Sequence, residues 1–262
     1  MGITLKSFLL FVVSMTIVMG LCLSCASDDG PPSESSLNSI IDNSIPTAPN
    51  VDEVIRFRTE DSEDLWGSIF GTGEIGVILT HMRGRDQTSW FPFGRFVAES
   101  GYKVLTFDFR GYGKSTGTKD TRMNRDLEAA VAYMRAKGAK EIILIGASMG
   151  GTSSIELAAE LKVQGVAALS PPTVFGRIDA LSAVDSMVIP LLLIVAENDS
   201  PYFSDARKIE SAAAATQFLA LTGQQHGTNL LIDHRNEVFA NLLAFIDRWS
   251  DDRLLSITQT ES

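Results

Sequence analysis

The sequence predicts an α/β protein built on an eight-stranded, mostly parallel sheet with helices on both faces. Three observations lead there. Apolar runs recur from residue 51 onward without strict alternation, as strands buried on both faces require. Stretches with a helical apolar period lie between several of these runs. A hairpin opens the series, and the strand–helix alternation after it specifies a mainly parallel sheet covered on both sides.

The opening hairpin is "VIRFR" and "LWGSIF" around the acidic turn "TEDSED". The runs "GVILTH", "YKVLTFD", "EIILIGA", "GVAALS", "PLLLIVAE" and "QFLALT" follow, which brings the strands to eight. One intervening helix places Met123, Leu127, Ala130, Val131 and Met134 on a single face, with Asp120 or Thr121 as N-cap and Gly138 as terminator. The last helix carries Leu231, Val238, Leu242, Phe245 and Trp249 on its inner face, with His234 in its interior.

Ahead of this domain, "KSFLLFVVSMTIVMGLCLSC" has one cation, Lys6, and then about 16 mostly apolar residues, long for a signal h-region and marginal for a spanning helix. It reads as an export or anchor signal. Its end, "LCLSC" followed by Ala26, resembles the lipobox of bacterial lipoproteins, which would place a lipid on Cys25, although Cys22 stands where that motif usually has Leu. Ordinary cleavage after Ala26 and an uncleaved anchor remain open. Residues 26–50 are rich in Ser, Pro, Asn and Asp and bury too little to offset the entropy of ordering, so a flexible tether is expected. The organisation expected is therefore a signal over 1–25, the tether over 26–50, one domain over 51–250 and a tail over 251–262.

The 262 residues carry a net charge of −10, and no run of Lys or Arg appears, which argues against a nucleic-acid surface. The chain's two cysteines, Cys22 and Cys25, both precede the domain, so no disulfide is expected within it. Three dispersed histidines and no His-Glu-x-x-His or Cys cluster leave no metal site to expect, and no cofactor. "GYGKS", residues 111–115, looks like the end of a phosphate-binding loop, but the Gly required at position 108 is Asp and the stretch follows the fourth strand.

The chemistry-bearing stretch is "EIILIGASMGGTSS", residues 141–154. Gly146-Ala147-Ser148-Met149-Gly150 fits Gly-x-Ser-x-Gly, a sharp strand-to-helix turn that holds a nucleophilic hydroxyl clear of the backbone. The bare pattern is cheap, and a helix N-cap serine would look the same. Its setting decides: the turn follows the fifth strand, Asp199 in "IVAENDSPY" follows the seventh, and His226 in "TGQQHGTN" follows the last.

With "GASMGG" at the turn and "FDFRGYGKS" after the fourth strand, the chain resembles the α/β-hydrolase superfamily, in particular its compact dienelactone-hydrolase-like and esterase branches, over about residues 51–250. The resemblance implies a Ser148, Asp199, His226 triad in the chain order of that fold. Ser148 is the implied nucleophile, His226 the base, and Asp199 the carboxylate that holds the imidazole tautomer. Glu197 and Asp205 are alternative acids. The oxyanion donors implied are the backbone N–H of Met149 and one from the loop after the third strand, where Met82 replaces the usual Gly and leaves Met82 or Arg83 as donor. Arg83 and Arg85 are expected to pair with Asp86 or with solvent. The implied activity is cofactor-free hydrolysis of a small-molecule carboxylic ester by a monomer, with peptidase, thioesterase, acyltransferase or non-catalytic binding as alternatives. Only twenty residues, 171–190, separate the sixth and seventh strands, too few for a large lid, so an open cleft favouring small to medium acyl groups is expected.

Overall fold

The computed structural model describes residues 51–250. The expected signal, Cys25, the tether and the tail lie outside the described residues. In chain order the elements begin with β1 (Glu53–Arg58), β2 (Asp64–Phe70), β3 (Ile75–Thr80), α1 (Phe91–Glu99), β4 (Lys103–Phe107), α2 (Met123–Ala136), β5 (Glu141–Ala147) and α3 (Met149–Leu161). They continue with β6 (Gly165–Leu169), β7 (Val174–Phe175), β8 (Ile178–Asp179), α4 (Ala180–Val184), β9 (Leu191–Ala196), α5 (Tyr202–Ala212), β10 (Thr216–Leu221), α6 (Leu230–Asp233) and α7 (Arg235–Arg248).

Eight of the strands form one sheet in the order β1-β2-β4-β3-β5-β6-β9-β10. The first hairpin is antiparallel, β2 pairs antiparallel with β4, and every pairing from β4 to β10 is parallel. Successive residues of the central strands serve opposite faces. Ile142 and Leu144 join Leu127, Val131, Ile155 and Val184 on one side, whereas Ile143 and Ile145 join Phe93, Val97, Phe239 and Leu242 on the other. Each such buried aliphatic or aromatic side chain contributes roughly 1.5–3 kcal/mol relative to exposure, so both layers are needed.

From β3 the chain steps to β4 on one side, then returns to β5 on the other. This reversal opens a crevice beyond the carboxyl ends of β3 and β5, the place where open α/β sheets bind ligands.

Two local expectations are corrected. Neither Asp120 nor Thr121 caps α2; its N-cap is Arg122, at φ 43°, without a side-chain cap bond. Asp120 instead accepts from Tyr112 Oη, and Thr121 Oγ1 donates to the Thr118 carbonyl. The last helix is broken: His234, at φ −120°, separates α6 from α7, so Leu231 and Val238 lie on different helices and His234 is at a joint. The stretch 171–190 holds the β7–β8 hairpin as well as one five-residue helix.

Gly111–Ser115 forms the loop after β4, tied down by its surroundings. Ser115 Oγ donates to the Asp108 carbonyl and accepts from the Trp66 N–H. Just before it, buried Arg110 donates from its backbone and from Nε to the Asp126 carboxylate, and from Nη1 and Nη2 to Asp61. Burial pushes the Asp126 carboxyl up to about 6, against the opposing pull of its hydrogen bonds from Arg110.

Candidate active site

Ser148 links β5 to α3 with φ 48° and ψ −118°, a backbone conformation in which a Cβ is strained. Its backbone is held there by both neighbours. Its N–H donates to the Leu169 carbonyl at 2.8 Å, and its carbonyl accepts from the Thr152 N–H at 2.9 Å. The two glycines make the crossing possible: a Cβ on Gly146 would stand 2.4 Å from the Gly150 carbonyl oxygen, and one on Gly150 would stand 2.6 Å from that of Thr80. Ser148 is thereby held at the positive end of the 13-residue helix α3, against the end of β3. Its Oγ makes no hydrogen bond among the described residues.

Asp199 lies three residues beyond β9, and His226 five residues beyond β10. Their loops bring them together: His226 Nδ1 is 2.9 Å from Asp199 Oδ2 and 3.2 Å from Oδ1. A carboxylate only accepts, so Nδ1 carries a proton, and in the neutral imidazole Nε2 then has the free lone pair. The carboxylate is 5 % exposed and the imidazole 25 %, which places the acid inside and the base at the opening. Glu197 is exposed, and Asp205 bonds Lys208 and the Thr173 N–H, so neither alternative acid meets the imidazole.

The loop carrying His226 packs on the turn that carries Ser148. Gly227, at φ 57°, comes so near that a Cβ there would be 2.6 Å from Met82 Sδ and 3.5 Å from Ala147 Cβ. Its N–H donates to Ser170 Oγ at 3.1 Å. The structure thus brings the stretches bearing Ser148, His226, Asp199 and Met82 to one place. It does not make a hydrogen bond between Ser148 and His226.

The loop after β3 is held from three sides. Buried His81 donates from Nδ1 to the Met82 carbonyl at 2.9 Å, and its Nε2 accepts the Phe109 N–H at 3.1 Å. Both bonds require the neutral imidazole, and burial lowers its pKa accordingly. The Met82 carbonyl also accepts from the Arg85 N–H at 3.2 Å in a turn completed by Gly84 at φ 77°. Side chains fix the rest. Arg83 pairs with Asp120 at 3.0 Å, and Arg85 donates to Asn229 Oδ1 at 3.1 Å, across to the loop after His226. The expected pairing of these arginines with Asp86 or solvent is therefore replaced by two specific partners, while Asp86 caps the 3-10 turn at Gln87–Trp90. The backbone N–H groups of Met82 and Arg83 have no partner among the described residues.

Tyr112 completes this side. Its hydroxyl donates to Asp120 at 2.7 Å and lies 3.9 Å from Met149 Sδ, and burial followed by Asp120 pushes its pKa up, so it stays a neutral donor. A hollow of about 390 Å³ lies between the Gly84–Ser89 segment and Tyr112, Gly113 and Lys119. A larger groove of about 1110 Å³, lined by Arg122, Arg125, Glu156, Glu160 and Arg177 among others, includes none of Ser148, Asp199 and His226. Among the described residues no group of three or more His, Cys, Asp or Glu is placed to hold a metal ion.

Sequence reasoning missed the Tyr112–Asp120–Arg83 chain and Tyr202, whose ring packs on His226 with centroids 4.0 Å apart. Nothing in their spacing announces these contacts.

Comparison with known proteins adds the family. Residues 77–254 match the model of the alpha/beta hydrolase fold. A 2-hydroxy-6-oxononadienedioate/2-hydroxy-6-oxononatrienedioate hydrolase of Burkholderia vietnamiensis is 37 % identical over 93 residues, 34 % of this chain and 32 % of its own length. Its Escherichia coli K12 counterpart is 34 % identical over 90 residues, 32 % of this chain and 31 % of its own. The chain thus matches about a third of the length of these curated relatives. Among solved structures, a Pyrococcus furiosus esterase superimposes with TM-score 0.66 at 21 % identity, over 80 % of this chain and 95 % of its own. The esterase domain of a Rhodothermus marinus protein gives 0.64 at 22 %, over 75 % and 98 %. With the family model matched over more than half of its residues, the chain belongs to the alpha/beta hydrolase fold family.

Proposed function

We propose that the protein is a serine hydrolase that cleaves carboxylic esters of small to medium acyl groups through an acyl-Ser148 intermediate. The observation that carries this reading is the Asp199–His226 pair, its Nδ1 protonated and Nε2 free, on a loop packed against the strained turn at Ser148. His226 Nε2 takes the Ser148 proton as Oγ attacks the ester carbonyl carbon. The carbonyl π-bond becomes an oxyanion, and the imidazolium is held by Asp199. Collapse expels the alkoxide, which leaves with the proton from Nε2. Water then repeats the sequence on the acyl-serine and releases the acid.

Met149 N–H, the first of α3, is one oxyanion donor in this reading, with the second from Met82 or Arg83. Two features support Arg83. The Met82 carbonyl is turned to His81 and Arg85, which directs the trans-related Arg83 N–H to the opposite side, and the Arg83 side chain is fixed by Asp120. Esters are favoured as substrates by the esterases among the structural neighbours, two of which match over 80 % and 75 % of this chain. The curated relatives, named as hydrolases of a dioate, match only a third.

The test is hydrolysis of p-nitrophenyl acetate. Ser148→Ala and His226→Ala should each lower kcat by several orders of magnitude, with the double variant no worse than either alone. Asp199→Asn should lose most activity; a near-normal rate would refute Asp199 as the acid of the triad. For location, we propose export with a lipid on Cys25, which predicts that the full-length protein enters the detergent phase and that Cys25→Ser does not.

A further inference from the structure

Tyr202 opens α5, three residues after Asp199, and lies half-buried against the imidazole of His226. The ring centroids are 4.0 Å apart and the planes tilted by 38°, so the phenol face covers the imidazole at stacking distance. We propose that Tyr202 is a positioning residue for His226, its π-face holding the ring against Asp199 and stabilising the imidazolium that forms when Nε2 takes the serine proton. The proposal rests on the triad reading above and deepens it.

Geometry and charge converge here. The bond to Asp199 fixes Nδ1 but leaves the ring free to swing about that contact, and Tyr202 closes one side of the swing. An aromatic face within about 6 Å of a cation attracts it through the ring quadrupole. The neutral imidazole gains less from that face than the imidazolium, so the contact favours the charged state reached during catalysis. Other charges nearby are engaged elsewhere: Arg85 bonds Asn229, and Asp205 bonds Lys208 and the Thr173 N–H. Ser170 Oγ, below the same loop, accepts from the Gly227 N–H. Among the described residues, Asp199 is the one carboxylate that bonds the ring.

Ring and hydroxyl can be separated experimentally. In the full chain, Tyr202→Leu should lower the plateau kcat on p-nitrophenyl acetate about tenfold with KM little changed, and move the ascending midpoint of kcat/KM against pH down by about half to one unit. The sign follows because a lost partner of the imidazolium makes protonation harder. Tyr202→Phe keeps the face and should stay within about twofold of wild type in both. Tyr202→Met, similar in length, takes the place of Tyr202→Leu if that variant does not fold, as judged by circular dichroism. An unchanged midpoint and plateau in the folded aliphatic variant would overturn the proposal. So would a loss in Tyr202→Phe as large as in Tyr202→Leu, which would assign the effect to the hydroxyl. Ser148→Ala run alongside separates the two readings: if wild-type turnover survives it, the triad itself fails.

Discussion

Replacing Ser148 by glycine should abolish turnover without the stability cost that an alanine-to-glycine change normally carries. Ser148 is held at φ 48° and ψ −118°, where a Cβ costs roughly 1–3 kcal/mol. Ser148→Ala and Ser148→Gly both remove an Oγ that has no hydrogen-bond partner among the described residues, so their difference reports the Cβ alone. Glycine relieves the strain but loses about 0.5–1 kcal/mol to chain entropy and about 0.8 kcal/mol of methyl burial. The terms nearly cancel, and Ser148→Gly should match or exceed Ser148→Ala in stability by about 0.5 kcal/mol. Ser153, fully buried on α3, supplies the control. There the backbone is helical and unstrained, so glycine should be less stable than alanine by about 1.5 kcal/mol, some 3–6 °C in Tm for a domain of this size. Urea unfolding of the four variants at constant m measures both differences. Equal losses at the two positions would refute the claim that strain is stored at Ser148.

Two further outcomes follow from other parts of the molecule. The Arg110 guanidinium, then Thr59, holds the Asp61 carboxyl well below its ordinary 3.8. A depressed folded-state value gives stability that is present above about pH 4 and lost progressively below it, so the stability gap between wild type and Asp61→Asn should narrow as pH falls from 4 to 2; a gap independent of pH would contradict this. The stretch 171–190, with two two-residue strands and a five-residue helix, holds little material to wall a long acyl chain. Across p-nitrophenyl esters from C2 to C16, kcat/KM should therefore peak between C2 and C6 without a jump when micelles form, whereas a C12–C16 optimum with interfacial activation would show a working lid.

The parts of the fold legible in sequence are those fixed by burial and by tight turns. "EIILIGA" reads as a central strand because both its faces are buried, and Gly146 and Gly150 are required by backbone approaches that no Cβ permits. The candidate site was legible as far as it follows chain order, since Ser148, Asp199 and His226 each sit at a strand's carboxyl end. Side-chain partners chosen across the sheet were not. Asp120 has the chemistry of a helix cap, yet Tyr112 from the same loop and Arg83 from the loop after β3 bond it instead. Arg85 bonds Asn229 rather than Asp86, 144 residues away instead of one, because the packing of Gly227 on Met82 brings those loops together. The break at His234 is equally invisible: the apolar period runs through it, and a turn of backbone decides. Tyr202 shows the same limit, since its tilted packing on the His226 ring follows from the fold and not from its place in the chain.

The central claim is that His226 activates Ser148, and covalent labelling with a fluorophosphonate tests it most directly. The account predicts a single adduct, located on Ser148 by peptide mass spectrometry, absent in Ser148→Ala and formed orders of magnitude more slowly in His226→Ala. A folded wild-type protein that takes up no probe, or that labels equally fast without His226, would contradict it.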